Sequence, residues 1–235
     1  MVDGSQSIIN RIRNGLIVSC QAPAGEPLHG SEIMARMAKA AEIGGAAGIR
    51  ANSPQDIRAI RSLVSLPVIG IYKKEYPGSS VYITPTFTEF AEVAEASAEI
   101  IAVDGTLRPR PGGETLQGLV NLARARYPQV LLMADVSTHE EGVAAAEVGF
   151  DIVATTLAGY TEYTRGEGDI PDFNLVESLA HVVKVPVIAE GRINTPEDAA
   201  EALRRGAWAV VVGTAITRPH VITKRFAESM KKARS

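Results

Sequence analysis

Lys73 and Glu190 are the ionisable residues whose types and placement suggest proton transfer. Each follows a short apolar run, so each stands where a strand ends and a site can begin. A lysine and a carboxylate on opposite sides of one carbon can remove a proton from one face and return one to the other. Lysine is protonated near neutral pH, so a basic role needs a pKa lowered by desolvation or by a neighbouring cation. Lys74 is the adjacent cation. Gln21, Arg50, Asp104 and Asp135 end or follow other apolar runs in the same way. Strand ends meet solvent, which explains any one of these residues. It explains the set less well, because half-buried charge is costly without partners. Taken alone, Lys73 also reads as a surface loop lysine or an ion-pair partner of Asp104 or Asp135.

Toward the C-terminus the residue types change from proton transfer to anion recognition. Ala189-Glu190-Gly191-Arg192 follows one apolar run, and Gly213-Thr214 follows another and leads to Arg218. Gly191 and Gly213 let backbone N–H groups approach an anion, and a helix opening after them favours negative charge. Arg192 or Arg218 can add paired hydrogen bonds to a phosphate. The alternative is a pair of helix-entry turns without a ligand.

Eight runs rich in Val and Ile supply the strands that must position these groups: 16–20, 46–50, 67–72, 100–104, 130–135, 152–155, 185–189 and 208–212. Continuous apolar runs suit strands covered on both faces, as in parallel sheets. Helical patterns lie between them. The segment 32–43 repeats Ala and Met at helical spacing, and Ser53 and Pro54 offer an N-cap and a first-turn proline to 53–64. The segments 138–148 and 195–205 each open on a threonine with an acidic first turn and stop at Gly149 and Gly206. Such alternation implies parallel βαβ units, and eight of them imply a (β/α)8 TIM barrel, α/β in class, with residues 1–235 as a single domain. The 235 residues fit that fold, whose usual length is about 250. Its catalytic groups gather at the C-terminal strand ends, and its phosphate sites commonly follow strands 7 and 8. Strands 3 and 7 face each other across such a barrel, which sets Lys73 against Glu190. The segment 74–90 fits least, and 81–84 reads as an extra short strand in a long third βα loop.

Composition narrows the partners. A net charge of -3 gives no electrostatic case for nucleic acid or an anionic membrane. No stretch approaches the roughly 20 apolar residues of a membrane helix, and the N-terminus carries no apolar run of signal-peptide length. The single cysteine, Cys20, cannot form an intrachain disulfide, which fits a cytoplasmic protein. The four histidines, His29, His139, His181 and His220, fall at no predicted strand end and show no metal-ligand spacing. No P-loop or dinucleotide fingerprint is present. The expectation is a small-molecule enzyme with no metal and no cofactor.

Ten stretches form a distinctive combination: 15–22 (GLIVSCQA), 26–28 (EPL), 48–50 (GIR), 66–71 (LPVIGI) with Lys73, 81–86 (VYITPT), 132–138 (LMADVST), 159–164 (GYTEYT), 187–191 (VIAEG), 195–197 (TPE) and 211–219 (VVGTAITRP). On these the chain, from Gly15 to about Phe226, resembles the N-acetylmannosamine-6-phosphate 2-epimerase family. The resemblance implies interconversion of N-acetylmannosamine 6-phosphate and N-acetylglucosamine 6-phosphate, in amino-sugar and sialic acid catabolism. It implies Lys73 and Glu190 as the acid/base pair and substrate contacts at Gln21, Arg50 and Asp135. The phosphate would rest on the Gly191 and Gly213 loops with Arg218. One departure is Asp104-Gly105-Thr106, where the family more often has alanine after the aspartate; glycine is expected only to loosen the loop. A Schiff-base aldolase using Lys73 covalently, or a non-catalytic sugar-phosphate sensor, would share this fold and phosphate site. A homodimer is expected, with the segment 215–230 as its candidate contact.

Overall fold

The computed structural model describes residues 4–166 and 170–233; the two ends of the expected 1–235 domain lie outside the described residues. Its strands are β1 (Leu16–Cys20), β2 (Gly48–Asn52), β3 (Val68–Ile71), β4 (Ile100–Asp104), β5 (Leu131–Asp135), β6 (Ile152–Ala154), β7 (Val187–Glu190) and β8 (Ala209–Val212). All neighbours pair in parallel, and β8 returns to β1 to close the barrel. The helices are α1 (Gly4–Arg11), α2 (Ser31–Ile43), α3 (Pro54–Arg61), α4 (Phe87–Glu95), α5 (Leu116–Arg126), α6 (His139–Val148), α7 (Phe173–Val182), α8 (Pro196–Arg204), α9 (Thr214–Thr217) and α10 (Pro219–Lys232).

Two strands run further than their apolar stretches. β2 extends past Arg50 to Asn52, and β7 includes Glu190. Ladder pairing uses the backbone, so a charged side chain directed into the barrel mouth does not end the strand. The helix punctuation is as the sequence reads. Thr138 and Thr195 form capping boxes with Glu141 and Asp198, and the Ser53 side chain accepts from Asp56 N–H. Gly149 closes α6 at φ 107°, a left-handed conformation that glycine adopts without steric cost.

Strand side chains alternate between two cores. Ile17, Ile69, Ile71, Ala102, Met133, Ile188 and Val211 fill the barrel interior. Val18, Ile49, Val103, Ala134 and Val153 pack outward beneath the helices. Period-2 alternation therefore directs Arg50, Asp104, Asp135 and Glu190 to the inside. The N-terminal end of the barrel is plugged by α1 and the residues after it. Ile9 and Ile12 join the interior cluster, and Trp208 Nε1 donates to Ile9 O at 3.0 Å.

The 81–84 segment does not form a strand. It makes a single antiparallel bridge, Ile83 to Lys73, and is wedged between the exit of β3 and β4. Gly105 also differs from expectation. A Cβ there would lie 2.8 Å from Ala134 Cβ, so the position is closed to an added methyl without a shift. The outer helices touch in sequence from α2 to α8, whereas α10 packs chiefly on α9 and buries none of its residues. Among the described residues no helix is long and apolar enough to cross a membrane.

Candidate active site

Arg50 organises the mouth of the barrel. Its guanidinium is 1% exposed and meets Asp135 through two parallel hydrogen bonds, Nη1 to Oδ1 at 3.0 Å and Nη2 to Oδ2 at 2.5 Å. Nη1 also donates to Glu190 Oε2 at 2.8 Å. One cation from β2 thus bridges carboxylates from β5 and β7. The Thr156 hydroxyl lies 2.7 Å from Asp135 Oδ1 and 3.1 Å from Glu190 Oε2, and its one proton serves either acceptor. Burial alone would lower the Arg50 pKa, but Asp135 and Glu190 more than offset it and hold the guanidinium above its ordinary value.

Lys73 and Glu190 are driven toward each other in pKa. Burial raises Glu190 above its ordinary value, with Arg50 opposing and Asp135 reinforcing the rise. Lys73 is lowered, first by burial and then by repulsion from Arg50. The lysine keeps solvent contact through the cavity mouth, but protein crowds it enough for burial to come first among the causes. Lys74 is not the repelling cation. It pairs with Glu89 at 3.1 Å and leaves that part to Arg50 and Arg218. The Lys73 backbone is fixed on both sides, by the bridge to Ile83 and by its N–H, which donates to Asn52 Oδ1 at 2.8 Å.

A cavity of about 1080 Å³ opens over this cluster, lined by Gln21, Arg50, Lys73 and Glu190, and at the β7–β8 side by Gly191, Arg192, Gly213, Thr214 and Arg218. Asp135 lies beneath it, fully buried. The structure therefore brings these residues to one place, whereas Asp104, expected on the same rim, does not line the cavity and pairs with Arg108 at 2.7 Å. Gln21 Nε2 donates to Ser19 Oγ at 2.9 Å, while Gln21 Oε1 and Arg50 Nε are buried without a hydrogen-bond partner among the described residues. Two arginines are engaged elsewhere. Arg192, at φ 56°, donates to Ala158 O at 3.0 Å and Ile170 O at 3.2 Å, so it holds the loop after β6. Its guanidinium occupies the space a side chain at Gly159 would need. Arg218 is paired with Glu26, so a phosphate there must share or displace that carboxylate.

Sequence reasoning missed Thr156, Asn52 and Glu26, and also Tyr82, which lines the cavity with Lys73. Thr156 and Asn52 lie at strand exits and were within reach of the same strand-end argument. Tyr82 and Glu26 sit in loops whose path no periodicity reports. Cys20 is buried and its thiol is pushed up to about 12 by that burial, which leaves it an inert packing residue. Among the described residues no group of three or more His, Cys, Asp or Glu side chains is placed to hold a metal ion.

The closed parallel barrel, with ionisable side chains from β2, β5 and β7 gathered beneath a cavity at its C-terminal mouth, defines an enzyme of the TIM-barrel class. The family described as "Putative N-acetylmannosamine-6-phosphate epimerase" matches residues 34–232. A Caldanaerobacter subterraneus protein named putative N-acetylmannosamine-6-phosphate 2-epimerase is 57% identical over 97% of this chain and 95% of its own length. A Shouchella clausii protein of the same name is 54% identical over 96% of this chain and 99% of its own. The solved N-acetylmannosamine-6-phosphate 2-epimerase from Clostridium perfringens superposes with a TM-score of 0.91 at 51% identity, covering 94% of this chain and 95% of that one. This chain belongs to the N-acetylmannosamine-6-phosphate epimerase family.

Proposed function

We propose that this protein interconverts N-acetylmannosamine 6-phosphate and N-acetylglucosamine 6-phosphate by removing and returning the proton at carbon 2, in amino-sugar and sialic acid catabolism. The observation that carries the reading is the placement of Lys73, held by Asn52 after β3, and Glu190, held by Arg50 at the end of β7, on opposite sides of one cavity, where burial lowers the lysine and raises the carboxylate. Acid and base strengths drawn toward each other make proton transfer less uphill in both directions. In the open-chain sugar the carbon 2 proton is α to the aldehyde. One group takes that proton, the electron pair moves onto the carbon 1 oxygen, and the enolate is reprotonated from the other face. The inversion involves no net oxidation and calls for no redox cofactor.

Arg50 holds the Glu190 carboxylate in place, and Asp135 balances the charge of Arg50. The buried Gln21 Oε1 is an acceptor suited to a sugar hydroxyl. Gly191, Gly213, Thr214 and Arg218 receive the phosphate, and Arg192 borders the same end while ordering the loop above it. Residues 1–235 act as one domain, in the cytoplasm. The protein pairs as a homodimer through the segment 215–230, a reading supported by exposed Ile216, Phe226 and Met230 on α9 and α10.

The test is proton NMR of N-acetylmannosamine 6-phosphate with the protein in deuterated water. Formation of N-acetylglucosamine 6-phosphate with deuterium at carbon 2 is expected. Binding without conversion or exchange would favour a sensor, and a borohydride-trapped adduct on Lys73 would favour Schiff-base chemistry. Light scattering in solution tests the dimer, and a monomer at micromolar concentration overturns it.

A further inference from the structure

The segment 81–86 is unlike any other loop of the barrel. Residues 82–84 are tied on both sides: Lys74 N–H donates to Tyr82 O at 2.9 Å, Thr84 N–H to Tyr72 O at 3.0 Å, and Asp104 N–H to Ile83 O at 3.0 Å. Thr84, at φ 45°, donates its hydroxyl to Ala102 O at 2.7 Å, and Arg110 donates to the carbonyls of Thr84 and Pro85, each at 3.1 Å. So many bonds are not needed to cross from β3 to α4. Their effect is to fix the residue between Val81 and Ile83, both of which are buried. That residue is Tyr82. Its ring packs on the interior core and lines the cavity beside Lys73.

The barrel's own geometry says which end of a substrate Tyr82 meets. The glycine turns and Arg218 lie at the β7–β8 side, and Tyr82 lies at the β3 exit across the ring. A hexose 6-phosphate held by its phosphate at the first place presents carbons 1 and 2 toward the second. The enolate formed there needs a donor at the carbon 1 oxygen. Arg50 is poorly placed to serve alone, because Nη1 is committed to both Asp135 and Glu190 and Nη2 to Asp135, while Nε, unpartnered among the described residues, is fully buried. The Tyr82 hydroxyl has no hydrogen-bond partner among the described residues. Burial first, then the carboxylates of Asp135 and Asp104, raise its pKa, so it stays a neutral donor at working pH.

We propose that Tyr82 donates a hydrogen bond to the carbon 1 oxygen of the open-chain sugar and stabilises the enolate. The inference rests on the proposed epimerisation. As the base takes the carbon 2 proton, the C–H electron pair becomes the C1–C2 double bond and the carbonyl pair moves onto oxygen. Tyr82 keeps its proton throughout. The electrons return when carbon 2 is reprotonated.

Tyr82→Phe keeps the packing ring and removes only the donor. Wild type and variant are compared for kcat and KM in epimerisation, for carbon 2 exchange in deuterated water, and for binding of N-acetylmannosaminitol 6-phosphate, which lacks the carbonyl. The expected result is a fall in kcat and in exchange on the order of 10² to 10³, with alditol binding and circular dichroism unchanged. A variant with wild-type kcat overturns the proposal. So does one whose KM and alditol affinity worsen together while kcat holds, since Tyr82 would then bind ground state and transition state alike. Inactivity of the wild type would instead refute the epimerase reading, so the two failures are distinct.

Discussion

Replacing Arg50 by methionine tests the central ion cluster more directly than any other change. The methionine fills much of the volume, so the main loss is charge. Asp135, at 0% exposed, and Glu190, at 14%, are left facing each other. Thr156 has one proton to offer the pair. Removing one partner from a buried ion pair costs about 3–5 kcal/mol, a large share of the roughly 5–15 kcal/mol that holds a typical domain. The pH dependence fixes the cause. Burial already raises Glu190, and Arg50 is the main group opposing that rise. Without Arg50 the folded-state pKa climbs further above the unfolded value. A carboxylate of this kind contributes stability that is fully present below the unfolded pKa and is lost as pH rises through the folded one. Every tenfold gain in the proton affinity of the folded state is worth about 1.4 kcal/mol. The penalty should therefore be greatest near pH 8 and shrink toward pH 5. Urea unfolding of both proteins at the two pH values measures it. A penalty below about 1 kcal/mol at pH 8, or one that grows on acidification, would refute the reasoning.

Lys73→Ala and Glu190→Gln should each lose epimerisation by two to four powers of ten, on the order expected for a general acid or base. At least one should retain deuterium exchange with only one epimer, and near-normal turnover in both would remove the assignment. Because Lys73 is lowered and acts as a base only when deprotonated, kcat/KM should rise with pH through a limb below the ordinary lysine value of about 10.4; a limb centred there contradicts the desolvated lysine. Arg218→Ala should raise KM for the phosphorylated sugar far more than it changes the melting temperature, and unchanged KM would place the phosphate elsewhere. Gly70→Ala puts a Cβ 2.6 Å from Val93 Cγ1 and 2.7 Å from Ala98 Cβ, and should cost about 1–3 kcal/mol in thermal or urea unfolding.

The barrel was legible because its strands are buried on both faces and so read as apolar runs between capped helices. The strand limits at Arg50 and Glu190 were not. A charged residue inside a barrel breaks the hydropathy pattern without breaking the ladder, and those are the positions where the site lies. Lys73, Glu190, Arg50 and Asp135 could be gathered on one rim from strand order alone. Their internal arrangement could not, because Arg50 bridging two carboxylates depends on side-chain direction in three dimensions. The engagement of Arg218 by Glu26 joins residues 192 positions apart, beyond any local pattern. The 81–84 segment looked like a strand because Val, Tyr, Ile and Thr favour extended backbone. Its bonds go instead to two different neighbours, so no ladder develops.

The bonds of Arg50 have a further meaning for how the chain comes together. Its partners stand 85 and 140 residues further along, on strands that are not its sheet neighbours. Such bonds cannot form in an open, partly zipped sheet, since β2, β5 and β7 converge only when the ring shuts. Contacts of this span arrive late, after most loop-closure entropy has been spent. Interactions absent from the folding transition state leave the folding rate nearly untouched and slow unfolding instead. The guanidinium and its two carboxylates therefore act as a latch on the closed ring: they set how long a folded molecule lasts, while the speed at which one is made is decided by the strands and helices around them.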